Sequence, residues 1–308
     1  MSRLEDRCLG ALLGLAAGDA LGTTLEFSMP GAFEPITDMV GGGPFELQPG
    51  QWTDDTSMAL CLAESLVECR GFDPEDQMQR YRDWYENGHL SSTGYCFDVG
   101  NTVLDAITQH ALNGNPFAGP VGKNRAGNGS LMRLAPVPIY YQRQPAVAMV
   151  MAAESSRVTH GAPQSVDACK YYTGLMIGAL HGIPKAKLLR PYYSPIPAYW
   201  ENLELCQEIR DILHEDFTQV PICSISGSGY VVKAMEAALW CFARTDTFRE
   251  GALCAANLGN DADTTAAIYG QLAGAYYGKS GIPEEWLQKL ALRDTIEKLA
   301  FSLYQLSL

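Results

Sequence analysis

Apolar residues recur along most of the chain with the period of an α-helix. Residues 4–23 open with Glu5 and Asp6, a favourable place for negative charge on a helix dipole, and continue into a run rich in Leu, Ala and Gly. Residues 55–69 place Met58, Leu62, Leu66 and Cys69 at helical spacing. The same period predicts helices over 145–158, where Pro145 takes the tolerated first position, and over 165–180, 231–242, 248–257, 264–277 and 283–306. Only 135–141 reads as extended, and its two prolines, Pro136 and Pro138, argue against a central strand. Pro- and Gly-rich loops over 29–50, 113–129 and 184–199 separate the helices without the low complexity of flexible linkers. The pattern predicts one all-α domain over residues 1–308, with long loops that line a site.

Composition removes several function classes. The chain carries 22 Lys and Arg against 35 Asp and Glu, a formal charge of −13, and has no basic run longer than two residues. A nucleic-acid groove needs clustered cations to displace counterions, so nucleic acid is not an expected partner. Residues 8–17 could pass for the apolar part of a signal peptide, but Glu5 and Asp6 stand where only positive charge belongs, and no clean cleavage site follows. No apolar run is expected to reach the roughly 18 residues of a membrane helix. Nine scattered cysteines without a C-x-x-C pair read as reduced thiols of a cytoplasmic protein.

Two short segments concentrate carboxylates and hydroxyls at expected helix starts: Trp52, Thr53, Asp54, Asp55 and Thr56, and Gly259 through Thr265 with Asp261, Asp263 and Thr264. Each alone could be a helix cap, since Asp and Thr oxygens accept the unpaired N–H groups of a first turn. A cap needs one oxygen, and here there are four carboxylates. If the two segments meet they repel, and hard divalent cations with oxygen ligands are the natural counter-charge. The five histidines are dispersed and offer no zinc-type alternative. Spacing does not show that the segments meet.

A wider set of motifs bears on that question. Gly14, Gly18, Asp19, Ala20, Leu21 and Gly22, then Glu26, the Thr53 to Thr56 run, Asp98-Val99-Gly100-Asn101-Thr102, Gly127-Asn128-Gly129-Ser130 with Met132 and Arg133, and Asp261 to Thr265 follow one another along the chain. Together they resemble the ADP-ribosylglycohydrolase family over residues 5–290, most of all its dinitrogenase reductase-activating branch. The resemblance implies an all-α orthogonal bundle and a cleft for ADP-ribose with a binuclear Mg²⁺ or Mn²⁺ site. It puts the metal ligands on Thr53, Asp54, Asp55, Asp261, Asp263 and Thr264, and the acid/base carboxylates on Glu26 and Asp98. It also places Asn101, Gly127, Asn128, Gly129, Ser130, His160 and Tyr230 against the ligand, Tyr230 by stacking on the nucleoside.

Residue chemistry fits these roles. Cleaving a glycosidic bond at ribose C1″ needs an oriented ribose, an activated water and a proton for the leaving group, which two metals and a carboxylate can supply. Asp98 could also cap the following helix. Residues 126–130 precede an apolar helical start, so their N–H groups could hold phosphate oxygens, helped by Lys123 and Arg125. Relatives commonly carry Asp where this chain has Lys233. The expected reaction is removal of ADP-ribose from a modified protein, with arginine preferred as acceptor because of the Asp98 motif. Serine-linked or O-acetyl ADP-ribose, and occlusion of an ADP-ribosyltransferase by an immunity protein, stand as alternatives.

Overall fold

The structure, a computed structural model, describes residues 1–308 apart from the side chains of Lys123 and Asn202. Its α-helices are α1 (Arg3–Gly22), α2 (Asp54–Glu68), α3 (Pro74–Asn87), α4 (Asn101–Asn113), α5 (Pro136–Tyr140), α6 (Pro145–Thr159), α7 (Pro163–Leu180), α8 (Lys185–Leu188), α9 (Gln207–His214), α10 (Val231–Arg244), α11 (Phe248–Ala256), α12 (Ala262–Tyr277), α13 (Glu284–Lys289) and α14 (Arg293–Leu306). Among the described residues extended pairing is confined to two isolated bridges, Gly42 with Leu47 and Gly127 with Tyr230. The all-α expectation holds.

The axis of the fold is the antiparallel pair α1 and α12. Glycines every fourth residue on α1, at 10, 14, 18 and 22, face Gly274, Gly270, Ala266 and Ala262 in reverse order on α12. A Cβ on Gly18 would lie 2.0 Å from the Ala266 carbonyl oxygen, so the backbones touch where side chains would ordinarily keep helices 8–10 Å apart. The seam brings the C-terminal end of α1 onto the N-terminal end of α12, and with it Asp19 and Glu26 onto Asp261 and Asp263. Gly18→Ala is expected to force the pair apart and to lower stability by about 1–3 kcal/mol, read as a fall in the urea midpoint with unchanged m. The stretch from Arg3 to Leu25 is, against expectation, long and apolar enough to cross a membrane, with a mean hydropathy of 1.4 over an 18-residue window, but 94% of that window is buried inside the protein.

Helix α8, inside the expected loop over 184–199, and helix α9 were not expected from the periodicity, and three further elements differ from it. Residues 136–140 form α5 rather than an extended segment, because Pro136 and Pro138 fall in a first turn whose N–H groups have no helical partner to lose. The expected helix over 283–306 breaks between α13 and α14, where the Ala291 N–H donates to the Gly50 carbonyl at 2.9 Å and the Trp52 indole N–H donates to the Ala291 carbonyl at 3.2 Å. That break anchors the loop leading into Thr53. Helix α3 was hidden by its polar composition: only Gln77, Met78, Tyr81 and Trp84 are buried, after an Asp73 cap and Pro74 at the first position. All nine cysteines are free.

Candidate active site

The two carboxylate-bearing helix starts meet. The Thr53 hydroxyl lies 3.1 Å from the Asp263 carboxylate and 3.4 Å from that of Asp55. The Thr264 hydroxyl donates to Asp55 at 3.3 Å. Neither helix start uses its acids as caps, since neither Thr53 nor Asp261 makes a side-chain cap bond. At α2 that task falls to Asp19, fully buried in α1. Its carboxylate accepts the Thr53 and Thr56 N–H groups at 2.9 and 3.0 Å and sits 2.9 and 2.7 Å from their hydroxyls. Asp54 and Asp55 are thereby released from capping. Asp19 was not assigned a role from sequence, although the signal was there: it is the one carboxylate in an otherwise apolar stretch from residue 8 to 25.

The cluster is short of positive charge. Carboxylate oxygens of Glu26, Asp98 and Asp263 lie within 4.8 Å of one another. Burial, and then the charges of Asp263, Asp98, Asp54 and Asp261, push the Glu26 carboxyl up to about 11. Burial first and neighbouring aspartates second raise Asp54, Asp55 and Asp263 well above the usual range, and burial raises Asp19 and Asp261. Asp98 is pushed up to about 6, mainly by burial, against a hydrogen bond with Asp54 that lowers it. One oxygen each of Glu26, Asp55 and Asp263 is buried without a hydrogen-bond partner. The single Thr53 hydrogen serves only one of its three acceptors at a time. Orphaned, mutually repelling oxygens from carboxylates and hydroxyls are the donor set of a hard divalent cation, so the residues present fit the expected metals.

Above the cluster opens a cavity of about 840 Å³, within the range of small-molecule sites. Glu26, Asp54, Asp98, Asn101, Gly127, Asn128, Gly129, His160, Asp261, Asp263 and Thr264 line it, as expected. Four expected residues do not. Thr53 and Asp55 lie beneath the floor, in contact with Asp263 and Thr264. Ser130 is turned inward, its hydroxyl accepting from Ser156 at 2.8 Å. Tyr230 pairs its backbone with Gly127 beside the cavity, and the residue is 36% exposed and not part of the wall. Asp98 caps nothing, because α4 begins after Gly100 without a side-chain cap bond.

The family model for ADP-ribosylglycohydrolases matches residues 1–307. The chain belongs to the ADP-ribosylglycohydrolase family. Among curated relatives, "ADP-ribosylarginine hydrolase Tri1" of Pseudomonas putida is 43% identical over 97% of this chain and 78% of its own length, and that of Serratia proteamaculans 40% over 98% and 80%. "ADP-ribosyl-[dinitrogen reductase] glycohydrolase" of Rhodospirillum rubrum, from the branch the motifs suggested, is 35% identical over 94% and 92%, less than either. A solved structure described as an "ADP-ribosylglycohydrolase-related protein complex" superposes with a TM-score of 0.87 at 44% identity, covering both chains completely.

The glycine turn of this ADP-ribosylglycohydrolase differs from the expected helix start. Residues 128–133 are turns, and the Asn128 N–H is already given to the Gly229 carbonyl at 3.1 Å, so it is not a free phosphate donor. The Asn128 side chain instead donates to Asp261 at 2.7 Å. Arg125 pairs with Asp105, Lys233 pairs with Glu236, and the Lys123 side chain lies outside what the structure describes. What the turn gains is His160. A Cβ on Gly129 would lie 3.0 Å from His160 Nε2, which places the imidazole against the turn. Arg133 donates to the Thr159 hydroxyl at 2.7 Å, leaving that hydroxyl's own hydrogen for His160 Nδ1 at 2.8 Å. The ring is therefore the Nε2–H tautomer and presents a neutral donor to the cavity. Burial, then the Arg133 charge, hold its pKa down to about 3, so it stays neutral at any working pH. Thr159→Val is expected to release the tautomer, seen in ¹⁵N shifts of His160, and to weaken free ADP-ribose binding by about tenfold at most. Thr159→Ser restores both.

Proposed function

We propose that this glycohydrolase removes ADP-ribose from arginine side chains of modified proteins by hydrolysing the N-glycosidic bond at ribose C1″. The observation that carries the reading is the convergence of Glu26, Asp98 and Asp263 within 4.8 Å at the floor of the cavity. The similarity to two ADP-ribosylarginine hydrolases supports the acceptor.

Two divalent cations, Mg²⁺ or Mn²⁺, are proposed on Thr53, Asp54, Asp55, Asp261, Asp263 and Thr264, where they would supply Lewis acidity toward the ribose hydroxyls and the attacking water. Asn128 fixes the orientation of Asp261, and Asp19 fixes the start of α2 that carries Asp54 and Asp55. His160 donates to ligand oxygen at the glycine turn. Glu26 and Asp98 are the two carboxyls placed to move protons at the scissile bond. A water oxygen bonds to C1″, the bond from C1″ to the guanidinium nitrogen breaks, and a water proton ends on that nitrogen.

Incubation of an arginine-ADP-ribosylated protein with the enzyme and Mg²⁺ or Mn²⁺ is expected to release free ADP-ribose, and a serine-linked substrate to be cleaved more slowly. No release from the arginine substrate overturns the reading. Binding of a protein partner is a second reading, in keeping with a solved relative described as a complex, and an ADP-ribosyltransferase is the partner to test. Capture of the transferase from the native cell by Asp263→Ala as well as wild type would establish binding without hydrolysis.

A further inference from the structure

The two proton-moving carboxyls each adjoin an aromatic ring that packing of the fold does not require. Phe27 follows Glu26, and Phe97 precedes Asp98. Phe27 adopts φ +59°, the left-handed region that a bulky residue enters at a cost of order 1 kcal/mol or more. It is held there by a latch between the ends of the two central helices. The Phe27 N–H donates to the Asn260 carbonyl at 2.6 Å, and the Asn260 N–H donates to the Ser28 carbonyl at 2.8 Å. Asn260, immediately before Asp261, is itself left-handed at φ +57°. The strain on both residues places the Phe27 ring at the cavity wall with 68% of the residue exposed.

Phe27 does not stand alone. Its ring centroid is 6.4 Å from that of Phe45, Phe45 is 5.1 Å from Phe97, and Phe97 is 6.0 Å from Tyr95, all edge to face. Tyr95 is 62% exposed, and Phe45 and Phe97 are half-buried. A contiguous exposed aromatic strip marks a contact surface rather than a core. The chain's own arginines that lie over rings do so elsewhere, on Tyr81, Trp240 and Trp286. Phe27, which lines the cavity and is the most exposed residue of the strip, is the one that a cation from outside can reach, and the other three brace it from behind.

We infer that this aromatic strip receives the cationic guanidinium of the ADP-ribosylated arginine and sets the preference for that acceptor. The inference rests on the reading that an arginine linkage is cleaved. A glycosylated guanidinium stays planar and positive, and so stacks on an aromatic face beside the acidic floor of the cavity. A serine ether brings neither charge nor plane. The strip thus discriminates between acceptors on chemistry that the ADP-ribose half of the substrate does not share.

The test is Phe27→Ala beside Phe27→Trp, neither of which disturbs the core. With an arginine-ADP-ribosylated peptide, Phe27→Ala is expected to raise KM about five- to tenfold with kcat within about twofold, and Phe27→Trp to stay near wild type. Free ADP-ribose, titrated by calorimetry, is expected to bind Phe27→Ala and wild type alike. An unchanged KM overturns the inference and leaves the proposed reaction standing. A matching loss of free ADP-ribose affinity also overturns it, by showing that the ring holds the nucleoside. Failure of the wild type to cleave the arginine linkage overturns both.

Discussion

Stripped of divalent cations with a chelator, the protein is expected to lose thermal stability steadily as pH rises from about 5 to 8, and to regain it when Mg²⁺ or Mn²⁺ is added back. The direction follows from which state holds protons more tightly. The buried acids titrate in the unfolded chain at ordinary values near 4, while in the folded protein Asp98 is pushed up to about 6, Glu26 to about 11, and Asp54, Asp55 and Asp263 well above the usual range. Between those limits the folded state binds more protons, so its advantage is full below the unfolded values and fades as pH climbs through the folded ones. Cations replace the missing protons. At a hundredfold excess over its dissociation constant one bound ion adds about 2.7 kcal/mol, so the melting temperature is expected to rise by roughly 5 °C or more. Asp263→Asn removes one repelling charge together with one ligand oxygen. It is expected to melt higher than wild type in chelator and to respond little to cation. Differential scanning calorimetry across pH reads all of this, and a melting temperature indifferent to both pH and cation would count against a metal centre.

Replacing Glu26 by Gln is expected to be the most damaging single change to turnover. Glu26 is 5% exposed, faces Asp98 and Asp263, and sits just beyond the seam that joins α1 to α12. The amide keeps the shape and removes the group proposed to move the proton, so kcat is expected to fall by about 10²- to 10⁴-fold. Free ADP-ribose affinity should change little, because His160 and the glycine turn belong to other segments of the wall. Single-turnover kinetics with an arginine-linked substrate, set beside calorimetric ADP-ribose binding, separate the two quantities. A parallel collapse of binding and turnover would make Glu26 a ligand-holding residue instead.

The sequence declared its strongly periodic helices and every acid that lines the floor of the cavity. It was silent on α3, whose buried stripe is narrow, and misleading on α5, where two prolines sit harmlessly in a first turn. Asp54 and Asp55 look like caps as long as Asp19 is out of view, and only a neighbouring helix could reveal that the capping is done from elsewhere. Ser130 fails for a related reason. A serine after Gly-x-Gly reads as a ligand contact, yet its direction is decided by Ser156, 26 residues later. The aromatic strip was unreadable too, because residues 27, 45 and 95–97 have no common period. They come together only through loops fixed by tertiary contacts.

The seam between α1 and α12 also carries a cost in biosynthesis. Gly22 and Ala262 meet although they stand 240 positions apart in the chain. At about 5–20 residues per second, a ribosome needs roughly 10–50 s to make the partner that covers α1. Throughout that interval a helix apolar enough to pass for a membrane span, notched with glycines to fit a single backbone, waits without it. The feature that brings Asp19 and Glu26 onto Asp261 and Asp263 thus leaves an apolar helix uncovered until late in synthesis, the interval in which such surface is most prone to aggregate.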